Sequence, residues 1–155
     1  MTTFVGARWR RLLCQRRDAG SVVVEFIVLG LMMSLPVFYL VVTLARVQAG
    51  AFAVTAASRE AGRAYVTAAH QHAAPGRAEA AAGLAFADQG FADRGRLAIT
   101  CDKSPCLQPE GHVEVVASLE VPLPLVPDFL GGVLPTSVSV SADHVSTVDR
   151  FRGGS

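Results

Sequence analysis

Lysine is almost missing from this chain: Lys103 stands alone against thirteen arginines. Such an imbalance reads as coding composition, so the arginines do not mark a nucleic-acid binder, and no nucleic-acid partner is expected. Aromatic residues are also scarce, at 7%, although 51% of the chain is apolar. Alanine carries much of that excess, and alanine builds helix without filling a large core. There is no glycine-rich phosphate loop, no serine or cysteine set beside a histidine in a nucleophile motif, and no pair of carboxylates of catalytic type. The expectation is therefore no catalytic residues, no metal ligands and no cofactor: a protein that is not an enzyme.

One kind of absence is local. The 25 residues from Ser21 to Ala45, SVVVEFIVLGLMMSLPVFYLVVTLA, hold a single charge, Glu25. A helix of that length spans about 37 Å, enough for a hydrocarbon layer of about 30 Å. The lone carboxylate lies near one end of the run, where it costs on the order of 2 to 3 kcal/mol unless neutralised or paired. Gly30 and Ser34 stand four residues apart, a small-xxx-small pair that lets another helix approach closely; general glycine enrichment in membrane helices accounts for it equally well. Pro36 is expected to kink the helix or remove one bond from its ladder.

The net charge of +1 hides a division. Residues 1–20 carry five arginines against Asp18, whereas residues 21–155 carry nine basic and twelve acidic groups. Basic residues beside a membrane helix stay in the cytoplasm, so the N-terminus is expected inside and the bulk of the chain outside. Cysteine placement agrees. Cys14 falls in the basic leader, and Cys101 and Cys106 fall in the outer part, where disulfides persist.

Beyond Ala45 the helical pattern continues. Ala45, Ala49, Ala53, Ala57 and Ala61 recur at four-residue steps among Arg46, Gln48, Arg59, Glu60 and Arg63, which extends the predicted helix to about Ala69. Four-residue spacing drifts about 40° per step against a 3.6-residue turn, so the alanines form a winding seam. His70 to Gly76 reads as a break by its proline and glycine, and a second, alanine-rich helix follows over Arg77–Gln89. From Arg96 the period changes to two: RLAITC, HVEVVASLEV and TSVSVSADHVSTVDRF read as three strands of a small antiparallel sheet covering the outer half of the helix. The segment Val121–Pro135, VPLPLVPDFLGGVLP, contains four prolines and is excluded as a central strand. It reads as a connection burying Leu125, Phe129 and Leu134, or as an apolar surface for a partner or the membrane.

The sequence thus predicts an α+β chain organised as a basic cytoplasmic leader (1–20), a transmembrane helix (21–45), an extracytoplasmic domain (46–150) and a tail (151–155). Cys101-Asp102-Lys103-Ser104-Pro105-Cys106 reads as a structural disulfide closing a turn between two strands, worth roughly 2 kcal/mol in the loop-entropy model. Zinc would need two more ligands than this pair supplies, and the spacing is not that of a C-x2-C redox motif. His70 and His72 read as solvated loop residues; His112 and His144 fall in predicted strands.

A basic leader with Arg16 and Arg17, then Gly20, then Glu25-Phe26 opening an apolar helix resembles the type IV prepilin signal. The G-x4-E-F form is most similar to the TadE-like pseudopilins of tight-adherence (Flp) pilus systems. The resemblance implies cleavage between Gly20 and Ser21 by a prepilin peptidase, and Glu25 acting in assembly as the fifth residue of the mature chain. Phe26 stands where many Flp-type prepilins have tyrosine, keeping the ring without the hydroxyl. It also implies residence in the inner membrane, partners among other pilins or pseudopilins and pilus assembly components, and the plan of a long N-terminal helix carrying a small sheet. Two alternatives remain at this level: an uncleaved single-pass accessory protein whose outer domain binds secretion or pilus components, and a secreted binding domain released by Sec-type cleavage near Val47-Gln48-Ala49.

Overall fold

The structure, a computed structural model, describes residues 5–124 and 136–152, with side chains from residue 21 onward. The first element is a single helix, α1 (Val5–Val66), with Pro36 inside it. It begins well before the apolar run and ends three residues short of the expected Ala69. At that end the Ala68 amide bonds back to the Tyr65 carbonyl at 3.1 Å, a tightened last turn that stops propagation. The chain then passes through extended His70 and a 3-10 turn, Gln71–Ala73, into α2 (Ala74–Asp88). The expected break at Pro75-Gly76 is displaced: Pro75 occupies the first turn of α2, where its missing amide hydrogen would have had no partner anyway. Gly90, with φ 76°, turns the chain out of α2.

Three strands follow: β1 (Gly95–Cys101), β2 (His112–Pro122) and β3 (Ser137–Thr147). They form one antiparallel sheet in the order β1-β2-β3. Ala117 is the centre of the register, facing Leu97 on β1 and Ala142 on β3. Alternation then assigns the faces. Val113, Val115, Ala117, Leu119 and Val121 of β2 are buried, whereas His112, Glu114 and Glu120 on the same strand are exposed.

Val121 ends the predicted strand HVEVVASLEV, and Pro122 corrects the exclusion of the proline-rich segment, because it belongs to the middle strand. Proline is tolerated there for a reason visible in the register. β1 ends at Gly95, opposite Leu119, so Pro122 has a neighbour on the β3 side only. The Leu123 amide donates to Thr136 (2.9 Å), which makes the adjacent Pro122–Ser137 pair a non-hydrogen-bonded one. The ring nitrogen therefore faces the side on which no strand is waiting for a donor. Leu125, Phe129 and Leu134 lie outside the described residues, as do Gly153 to Ser155 of the tail.

The chain divides into two compact units, Met1–Val42 and Thr43–Ser155. In the second unit the inner sheet face is covered by the end portion of α1 and by α2. A methyl group built on Gly50 would strike Val121 Cγ2, and one built on Gly62 would strike Ser146 Oγ. Twelve residues of helix cover about 18 Å, and the six strand residues from Val140, near Gly50, to Ser146, near Gly62, cover about 20 Å, so the helix runs along β3 in the same direction. On the other side Phe86 of α2 packs against Gly95 of β1. The core between the layers is built from small side chains: Ala53, Ala57, Ala61, Ala68, Ala74 and Ala78 are all fully buried, with Val54 and Phe91 as the larger fillers. Ala49 is partly buried and Ala45 exposed, so the alanine seam meets the sheet only from its second member onward.

The first unit looks quite different. Fifteen large apolar side chains between Val22 and Val41 are more than half exposed, Phe26 at 76% among them. Apolar surface on that scale is far beyond the few hundred Å2 that a soluble monomer leaves open. The helix from Ser21 is long and apolar enough to cross a membrane.

Candidate functional site

The sequence-derived assembly residues all lie on α1. Ser21, Glu25, Phe26, Gly30 and Ser34 are exposed. Gly20 lies within α1, outside the residues whose side chains are described. A methyl group on Gly30 would meet nothing within 4 Å, so this small residue serves no contact within the chain. The Ser34 hydroxyl is spent locally, donating to the Leu31 carbonyl (3.2 Å). Ser21 and Glu25 are four residues apart and share a helix face, about 6 Å from each other along the axis.

A second cluster fastens the far end of α1; of its members the sequence reading found the disulfide but not Tyr65, Gln71 or Arg152. Cys101 and Cys106 form a disulfide with a Cα separation of 5.5 Å, closing the turn after β1. Gln71 holds that turn to the helix: its Nε2 donates to the Tyr65 hydroxyl (3.2 Å), and its Oε1 accepts from the Leu107 amide (3.0 Å). The Tyr65 hydroxyl also lies 3.9 Å from Cys101 Sγ; a disulfide sulfur has no hydrogen, so the tyrosine is the donor. Arg152 closes the helix end. Its guanidinium donates to the carbonyls of Val66 (2.7 Å), Ala68 and Ala69 (3.3 Å), placing a cation on the last carbonyl of α1 and on two carbonyls of the turn that follows. More than eighty residues separate donor from acceptors, so no short-range motif could have signalled this cap.

Within the disulfide turn, Asp102 is clamped onto the start of β2. The His112 amide donates to Asp102 Oδ1 (2.7 Å), and His112 Nδ1 lies 3.0 Å from Oδ2. The backbone donor, then the imidazole, favour the charged carboxylate and lower its pKa below the usual value, with Lys103 adding a small part. Both side chains are solvent-exposed, so this is a turn latch and not a desolvated acid–base pair.

At the opposite end of the sheet, Arg46 of α1 stacks on the buried Phe91 ring, 4.8 Å from its centroid. A shallow depression of about 330 Å3 opens there, lined by Arg94, Arg96, Ser118, Leu119, Glu120 and Ser139. His70 and His72 stack on each other at 5.5 Å and are exposed. Among the described residues, no three histidine, cysteine or acidic side chains converge as metal ligands would. Comparison with known proteins supplies no family: no family model, curated protein or solved structure matches the chain.

Proposed function

We propose that the chain is a minor, TadE-like pseudopilin of a tight-adherence (Flp) pilus or related secretion machine. In this reading it is an inner-membrane protein with the N-terminus in the cytoplasm and the α+β unit outside. The observation that carries the reading is Glu25, the single carboxylate of a 25-residue apolar stretch, five residues beyond Gly20. A spanning helix with no other task has no use for such a charge.

The chemistry of processing gives it one. Hydrolysis of the Gly20–Ser21 peptide bond leaves a carboxylate on the leader and an ammonium on Ser21, in the same membrane layer as Glu25. A neighbouring subunit shifted along the helix axis pairs its ammonium with this carboxylate and removes two unpaired charges at once. Such a pair need add no net stability; its use is to specify one axial offset among the many that apolar helices allow. The exposed Gly30 permits close helix approach in that packing.

The mounting of the outer unit supports a permanent helix. Arg46 stacks on Phe91, and Ala49 packs against the core. Cleavage near Val47-Gln48-Ala49 would remove both, so release as a secreted domain would cost the unit part of its own packing.

Replacing Glu25 tests the assignment. Glu25→Ala is expected to enter the membrane normally and to resist alkaline extraction, while pili assembled in a strain whose own copy is deleted are lost or sharply reduced. Piliation equal to the wild type would contradict the reading.

A further inference from the structure

The end of the outer unit that carries Arg46 has a chemistry of its own. Arg46 is the first charged residue after Glu25, so it marks where the apolar run of α1 stops. Its guanidinium is held over Phe91, and the loop that supplies Phe91 also carries Arg94, whose amide bonds to the Phe91 carbonyl at 3.2 Å. Gly90, at φ 76°, lets this loop pass close to Arg46: a methyl group there would lie 3.8 Å from the guanidinium. Arg96 follows on the outer sheet face and shares the 330 Å3 depression with Arg94. All three arginines are exposed, and among the described residues none has an ion-pair partner within 4.0 Å.

Cations outside a membrane helix run against the usual bias toward the cytoplasmic side, so their position requires a reason. We propose that Arg46, Arg94 and Arg96 form a collar that binds the phosphate groups of anionic phospholipids where α1 leaves the bilayer. The proposal rests on the membrane reading above. Arginine suits the task, because its planar donors take phosphate oxygens in pairs and it sheds water more readily than an ammonium. Stacking on Phe91 fixes one guanidinium in place and leaves its edge donors free. Glu120, which lines the same depression, and Asp93, in the same loop, oppose the cations, so the binding is selective for anionic headgroups but modest and salt-dependent. A cationic collar set at that level would fix the height of the outer unit at the membrane surface.

The test uses the full chain reconstituted into vesicles of phosphatidylcholine and phosphatidylglycerol in equal parts. After mild detergent extraction, the lipid retained on the protein is quantified by mass spectrometry. The expected result is enrichment of phosphatidylglycerol that weakens with added salt and falls about fivefold for each arginine removed. The double variant R94Q/R96Q is the main probe because it leaves the Arg46–Phe91 stack intact; Glu120→Gln, which removes an opposing charge, is expected to raise the enrichment. Near-ultraviolet circular dichroism checks that each variant is folded. Equal lipid ratios on wild type and R94Q/R96Q would overturn the collar alone. Release of the wild type from the vesicles by an alkaline wash would overturn the membrane reading, and the collar with it.

Discussion

A methyl group at Gly50 would strike Val121 Cγ2, and at Gly83 it would meet nothing within 4 Å. The two glycines therefore respond oppositely to the same substitution. Gly83→Ala on the exposed face of α2 gains helix propensity and is expected to stabilise the second unit by about 0.5 to 1 kcal/mol. Gly50→Ala gains the same propensity but forces the methyl against a fully buried valine; overpacking costs about 1 to 3 kcal/mol, so the net effect is destabilising. Chemical denaturation of the full chain in detergent, followed through the near-ultraviolet signal, checks both signs. Asp102 gives a pH test at the same scale. Its pKa is lower folded than unfolded, so its contribution is complete above the ordinary carboxylate range and is lost as pH falls through the depressed value. The protection factor of the His112 amide against hydrogen exchange is expected to fall across that acid window, and Asp102→Asn is expected to show weak protection at neutral pH with the acid step gone.

Helix α1 is fastened in the second unit at two places, by small-residue packing along β3 and by the clamp at its end. Arg152 is the clamp member that stands furthest from its partners in sequence, donating to carbonyls 83 to 86 residues away. Charge-assisted bonds contribute about 1.5 to 3 kcal/mol when buried; this side chain is half-buried, so Arg152→Gln is expected to cost about 1 to 2 kcal/mol. Hydrogen exchange should rise first at Tyr65 to Ala69; an unchanged last turn would mean that Gln71 and the disulfide hold the helix end without it. Element by element, the sequence was legible where periodicity is strong. All three strands, the disulfide turn and the helix through Ala61 follow from alternation, alanine spacing and cysteine placement. Sequence places the start of α2 three residues late, at Arg77, because Pro75 reads as a breaker, whereas proline in a first turn interrupts nothing. Pro122 was excluded from β2 on the assumption that a central strand has two neighbours along its whole length, which β1 is too short to provide.

For the whole molecule, the two units divide the work by the kind of surface they offer. Met1–Val42 includes the exposed apolar run and its single carboxylate; Thr43–Ser155 carries a packed α+β layer whose other sheet face stays open to solvent. The assembly residues could be proposed from sequence because a lone charge in an apolar run stands out by itself. The clamp and the arginine collar could not, because each joins residues brought together only by the fold: Tyr65 with Leu107, Arg152 with Val66, Arg46 with Phe91. Gly50 and Gly62 did leave a trace. Gly50, Val54, Ser58, Gly62 and Val66 form a second four-residue ladder beside the alanine seam, and both ladders face the sheet.

The central claim is that the helix beginning at Ser21 is the working end of the mature protein. It is tested most directly by N-terminal sequencing and intact mass of the chain purified from its native membrane. The account expects a chain that starts at Ser21, with the leader through Gly20 removed. An intact leader on a membrane-retained chain would contradict processing and leave an uncleaved anchor, and a start near Gly50 would contradict the membrane account altogether.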